Sequence, residues 1–199
     1  MERRLLEAAQ KGSIDELNDL IGSNGLINLE EMALKGAGHT PLHVACMARH
    51  SDFVRALLKL MPKFVEKVNA GDLSPPHIAA AQGDVEVARE LLRAGEHLCF
   101  VKGRERRIPL HYAVVNGELH VMELLLSAWP ESTKETTARD EIVLHLTVKN
   151  NQFDAVIVVK ICLEFEPIER NPTQDLLKES PKLIICGRLL WKYRILVWR

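Results

Sequence analysis

Four histidines, His43, His77, His111 and His145, recur at a fixed spacing of 34 residues. Imidazoles ligate metals and act as general bases, so the first question is whether the four serve one site. The spacing argues against it. Neighbouring packed helices lie about 8–10 Å apart, whereas each ligand of a single zinc lies ~2 Å from the ion. Histidines from successive units do not converge at that distance, so a structural role and no metal are expected. Cys46 stands between His43 and His50 and raises a second chemistry, a thiolate activated by an imidazole. It shares its place in the period with Ala80 and Val114, which reads as a buried small residue rather than a nucleophile. Gly-x-Ser-x-Gly, His-Glu-x-x-His, P-loop and Gly-x-Gly-x-x-Gly patterns are absent. No catalytic residue and no cofactor are therefore expected.

The elements that carry the histidines repeat with them. Thr40-Pro41-Leu42-His43-Val44-Ala45 returns as Ser74-Pro75-Pro76-His77-Ile78-Ala79, then as Ile108-Pro109-Leu110-His111-Tyr112-Ala113 and Ile142-Val143-Leu144-His145-Leu146-Thr147. Thr40 and Ser74 are hydroxyl caps for a helix. Pro41, Pro75 and Pro109 fall at the first helical position, where a proline sacrifices no needed donor. The histidine is then placed to bond backbone and hydroxyl groups in the turn and pin one unit to the next. Ile108 and Ile142 lack the hydroxyl and Val143 replaces the proline, so the last two units are expected to begin less sharply.

A period of this length marks stacked supersecondary units. The repeated hexapeptide resembles the signature of the ankyrin-repeat family over roughly residues 2–165. The resemblance implies an all-α solenoid of about five helix-turn-helix repeats with short β-turn fingers. It also implies a non-enzymatic scaffold or adaptor that binds proteins through the fingers and the concave inner-helix surface. A narrower likeness lies in Met1-Glu2-Arg3-Arg4-Leu5-Leu6-Glu7-Ala8-Ala9 with Gly12, and in Leu144-His145-Leu146-Thr147-Val148-Lys149-Asn150-Asn151-Gln152-Phe153. These are similar to plant ankyrin proteins with a C-terminal PGG membrane domain, which implies defence or stress signalling at membranes. The hydrophobic spans of that domain are absent after about Glu166, so transmembrane anchoring is not implied for this chain.

The repeats are placed at about 2–34, 35–68, 69–102, 103–136 and 137–165. The first is partial, with Leu6 at the histidine position and a polar outer face suited to an end unit. A glycine-rich connector, residues 22–38, follows it. Gly83 and Gly117 turn the chain between the two helices of their repeats, while Arg49 and Asn151 stand in that place elsewhere. A left-handed turn without glycine is strained, least so for asparagine. Phe153 to Leu163 contains Val156-Ile157-Val158-Val159, a strand by propensity, but repeat phasing makes it a helix.

Lys102-Gly103-Arg104-Glu105-Arg106-Arg107 falls where a finger should project and carries a net +3. Arg104, Arg106 and Arg107 are thus candidates for an acidic partner segment or a phosphate. Met47, Gln82 and Asn116, each just before a helix–helix turn, are the neighbouring concave candidates. Residues 166–199 read as an irregular linker and a basic, apolar tail. From Lys182 onward it has five basic residues and no acidic one. Three readings stay open for it: a cap on the last repeat, irregular chain, or a peripheral contact with an anionic membrane.

The composition is ordinary: 199 residues, 47% hydrophobic, 27% charged, net charge −1. That excludes a global electrostatic case for nucleic acid. The four cysteines, Cys46, Cys99, Cys162 and Cys186, show no Cys-x-x-Cys spacing and read as reduced thiols, so a cytoplasmic protein is expected. The resemblance to membrane-bound plant ankyrin proteins implies the plasma-membrane surface as the alternative. No leader and no stretch of ~18 apolar residues is found.

Overall fold

The hydroxyl–proline–histidine stretch fixes where each inner helix begins. Thr40, Ser74, Ile108 and Ile142 all hold the same extended backbone, with ψ between 164° and 169°, and a helix starts at the next residue. The computed structural model describes residues 2–25 and 38–164. Within them the inner helices are α1 (Glu2–Lys11), α3 (Pro41–Met47), α5 (Pro75–Gln82), α7 (Pro109–Asn116) and α9 (Val143–Lys149). Each is followed by an outer helix: α2 (Ile14–Asn24), α4 (Ser51–Leu60), α6 (Val85–Ala94), α8 (Leu119–Ala128) and α10 (Phe153–Glu164). Short 3-10 turns, Pro62–Val65, Glu96–Phe100 and Pro130–Lys134, return the chain from α4, α6 and α8. The inner helices stack in the order α1, α3, α5, α7, α9, and the outer ones in the order α4, α6, α8, α10. The described residues form an all-helical repeat solenoid without strands. The connector at 26–37 and the tail from 165 lie outside the described residues.

One continuous core runs between the two layers, with Leu42, Phe53, Leu57, Phe64, Leu91 and Leu110 among its fully buried side chains. Each unit buries its apolar face only against its neighbours, so stability is a sum of unit and interface terms. The β-branched run of the fifth unit is helical: Ala155, Val158 and Val159 are buried at helical spacing and α10 packs on α8. Tertiary burial overrides strand propensity there. On the outer layer Glu90, only 5% exposed, accepts from Arg55 at 2.9 Å and from Arg93 at 2.5 Å, tying α4 to α6.

The histidine holds two units at once. A carbonyl can only accept, so His43 Nε2–H donates to Leu73 O at 2.9 Å, and Nδ1 is left with a lone pair. That lone pair accepts the backbone N–H of Thr40 at 3.2 Å and faces its hydroxyl at 2.7 Å. His77 repeats the arrangement with Ser74 and with Arg107 O at 3.0 Å. His111 accepts the N–H of Ile108 and donates to Glu135 O at 3.2 Å. The expectation of blunt starts in the last two repeats is therefore corrected. The imidazole caps the N–H of Ile108 and Ile142 without help from a hydroxyl.

The inner-to-outer turn needs a left-handed residue: φ is 70° at Gly83, 77° at Gly117, 61° at Arg49 and 55° at Asn151. At two of these a Cβ would also displace the tip of a side chain from the next unit. A Cβ on Gly83 would collide with the Glu118 carboxylate of the next unit, and one on Gly117 would lie 2.7 Å from Gln152 Nε2. The residue in phase with Glu118 and Gln152 that follows Arg49 is Asp84. It is a methylene shorter than glutamate, and its carboxylate turns to cap the Val87 N–H at 3.0 Å. Arg49 makes use of its side chain, donating from Nη2 to Gln82 O at 2.7 Å.

Two outcomes follow from this packing. Gly83→Arg lowers the unfolding free energy in urea by at least about 1–2 kcal/mol from the left-handed backbone alone, and adding Glu118→Asp recovers the part due to collision. An unchanged midpoint contradicts the account. The second outcome is a pH dependence. Burial pushes His43 and His111 down from 6.5 to about 4, and His77 down as well. The unfolded chain thus takes up protons first, so stability is full above pH 6.5 and declines as pH falls toward 4. Glu90 and Glu141, held below the ordinary 4.5 by hydrogen bonds from Arg55 and Lys149, add their losses only at lower pH. The midpoint should fall between pH 6.5 and 4.5, less so in His111→Gln, and a flat profile there contradicts buried neutral imidazoles.

Candidate partner-binding surface

Among the described residues three fingers project between units, and in each a main-chain bond joins the first residue to the fifth. Asn69 N–H donates to Leu73 O at 2.9 Å, Gly103 N–H to Arg107 O at 2.9 Å and Thr137 N–H to Glu141 O at 3.0 Å. The tips are left-handed at Asp72, Arg106 and Asp140, again 34 residues apart. Two of the fingers are organised by their first side chain. Asn69 Oδ1 accepts from the N–H groups of Gly71 and Leu73. Thr137 Oγ1 accepts from those of Arg139 and Glu141.

The middle finger has Gly103 in that position and no such side chain. A Cβ there would lie 2.6 Å from the Asp72 carbonyl and 3.0 Å from the His77 ring, so only glycine fits. Its turn places Glu105 and Arg106 both at positive φ, 58° and 56°, a conformation that strains any residue but glycine. The neighbouring finger holds it. Ala138 N–H donates to Glu105 O at 2.8 Å, and the Glu105 carboxylate pairs with Arg107 at 2.9 Å and Arg139 at 3.7 Å.

The +3 cluster expected from sequence is thereby divided. Lys102 pairs with Glu135 at 3.0 Å. Arg107 is half-buried, with its carbonyl used by His77 and its guanidinium on Glu105. Arg104 and Arg106 remain exposed, without an ion pair among the described residues.

Met47, Gln82 and Asn116 occupy the far ends of α3, α5 and α7, at the opposite end of each inner helix from the fingers. An eight-residue helix such as α7 is about 12 Å long, so the structure does not join them to the arginines in one cluster. Gln82 Nε2 donates to Met47 O at 3.1 Å, and Asn116 Nδ2 donates to Tyr112 O in its own helix. Ala48, not Met47, is the residue in phase with Gln82 and Asn116.

Between the two ends the inner helices present Val44, Tyr112 and Val115, all partly buried. Tyr112 packs edge-on against His77, with ring centroids 5.3 Å apart. Tyr112 and Arg139 were not singled out from sequence. The signal for Tyr112 was its phase with Val44 and Ile78; nothing marked Arg139. Burial pushes the Cys46 thiol up, which disables it as a nucleophile. Among the described residues no helix is long and apolar enough to cross a membrane.

With this geometry in view, the comparisons with known proteins agree on the fold. The family model described as ankyrin repeats (3 copies) matches residues 5–99 and 60–140, and the chain belongs to the ankyrin-repeat family. The relatives it matches include mouse ankyrin repeat and SOCS box protein 14, 30% identical over 47% of this chain and 17% of the relative. The B-cell lymphoma 3 protein homolog of mouse is 31% identical over 57% of this chain and 26% of that protein. Arabidopsis thaliana ankyrin repeat-containing protein BDA1 is 38% identical over 37% of this chain and 17% of that protein. The matches thus span about a quarter or less of each relative's length. Ankyrin repeats imply interaction with protein partners.

Proposed function

We propose that the protein is a non-enzymatic adaptor that holds an acidic segment of a partner protein along its fingers and inner helices. The observation that carries this reading is the middle finger. A turn strained at two consecutive non-glycine residues is fastened by its neighbour, and it presents Arg104 and Arg106 with no internal partner among the described residues. Strain kept at an exposed tip supports a recognition role. Tyr112, on the inner helix that follows this finger, offers partly buried apolar area, and the two guanidiniums offer charge-assisted bonds to carboxylates. The surface is preformed, so little ordering free energy opposes binding.

The cytoplasm suits a chain whose four cysteines show no Cys-x-x-Cys spacing and whose Cys46 is a buried thiol. A place in plant signalling or defence is the narrower form of the reading. It is supported by the likeness at the two ends of the array and by the partial match to the Arabidopsis protein. The tail at 182–199, the basis for a membrane contact, lies outside the described residues.

Affinity capture with the whole chain, quantified by mass spectrometry, tests the arginines. Arg104→Ala/Arg106→Ala should lower partner recovery several-fold while leaving the urea midpoint within about 0.5 kcal/mol, as for exposed substitutions. Arg107→Ala should lower the midpoint, because it leaves Glu105 with one cation fewer. Equal recovery by wild type and the double variant would sink the proposal.

A further inference from the structure

The two ends of the array are built differently. At the start, Arg3 and Glu7 of α1 form an exposed ion pair at 3.1 Å, a polar face that needs no cover. At the other end, Val148 is 62% exposed and Phe153 72%. The residues in phase with Val148 are Cys46, Ala80 and Val114, exposed by 0%, 1% and 0%, because in each case the next unit lies on them. His145 departs from its series in the same way. His43, His77 and His111 are fully buried, and each donates Nε2–H to a carbonyl 24–30 residues further along. His145 is exposed; its Nδ1 accepts the Ile142 N–H at 3.2 Å, and Nε2 meets no carbonyl among the described residues.

A terminal unit of a repeat array needs a polar outer face. The fifth unit has instead the apolar face and the imidazole donor of an internal one. We propose that residues 165–199 of this chain cover that edge, with apolar side chains on Val148 and Phe153 and a main-chain carbonyl accepting His145 Nε2–H.

Three observations select this occupant. The segment follows directly on α10 and is one residue longer than the 34-residue period, so its length suffices for one layer. Pro167 stands three residues beyond α10, much as Pro62 and Pro130 stand two residues beyond α4 and α8, where the chain turns back toward the next finger. Leu183, Ile184, Ile185, Leu189, Leu190 and Trp191 supply apolar surface in a stretch with no acidic residue. The layer is not a sixth copy, since Leu176-Leu177-Lys178-Glu179-Ser180-Pro181 occupies the phase of the hexapeptide and has no histidine.

Amide hydrogen exchange of the full 199-residue chain tests this, wild type against Val148→Arg, at low and high protein concentration. On a bare edge, arginine at an exposed site changes nothing. On a covered edge it dislodges the cover, so amides of 183–199 and of α9 should exchange several-fold faster while α3 to α8 keep their rates. Tail amides that exchange at unprotected rates in the wild type overturn the proposal. So does tail protection that Val148→Arg leaves intact. Protection of α9 that appears only at high concentration assigns the edge to a second copy and overturns it too.

Discussion

Everything in this array hangs on an imidazole that is bonded at both ends. Nδ1 closes the N-terminus of its own inner helix, and Nε2–H reaches a carbonyl in the following finger. The Nδ1 bond requires the neutral ring, since protonation would remove its lone pair, whereas Nε2–H can donate in either form. Burial supplies that condition by penalising the charged form. Each histidine therefore joins a local decision, where a helix starts, to a non-local one, where the next unit sits.

The remaining packing conforms to that frame. The fingers are positioned because their carbonyls are taken, at Leu73 by His43 and at Arg107 by His77. The third link, from His111, runs to Glu135 instead, so the frame tolerates a shift in the acceptor. At the other end of the inner helices the fit is steric. Gly83 leaves room for Glu118, and Gly117 for Gln152, while the short Asp84 permits Arg49. On the outer layer a buried carboxylate, Glu90, shared by Arg55 and Arg93, links α4 to α6. Losing one partner of such a group is costly, whereas the intact group adds modestly.

The inner helices were legible in the sequence because a hydroxyl, proline and histidine act over four residues and return at a fixed interval. The outer helix α10 was legible only through phase, since Val156 to Val159 favour a strand until α8 buries one side of them. The candidate surface was read less well. Arg107 looked like a third projecting cation, but its carboxylate partner is shared with Arg139 of the next finger, a contact no local pattern encodes. Met47 stands one residue out of phase with Gln82 and Asn116, although Arg49 was aligned with the turn glycines. The starts of α7 and α9 were misjudged because sharpness was read from hydroxyl caps, whereas the imidazole holds the Ile108 and Ile142 N–H groups as it holds those of Thr40 and Ser74.

The most direct measurement is of the imidazoles themselves. Long-range nitrogen–proton correlation spectra at neutral pH report which ring nitrogen of His43, His77 and His111 carries the proton. The account predicts the Nε2–H form for all three, with slowly exchanging Nε2 protons. An Nδ1–H form, an imidazolium, or Nε2 protons exchanging as fast as those of free histidine would contradict it.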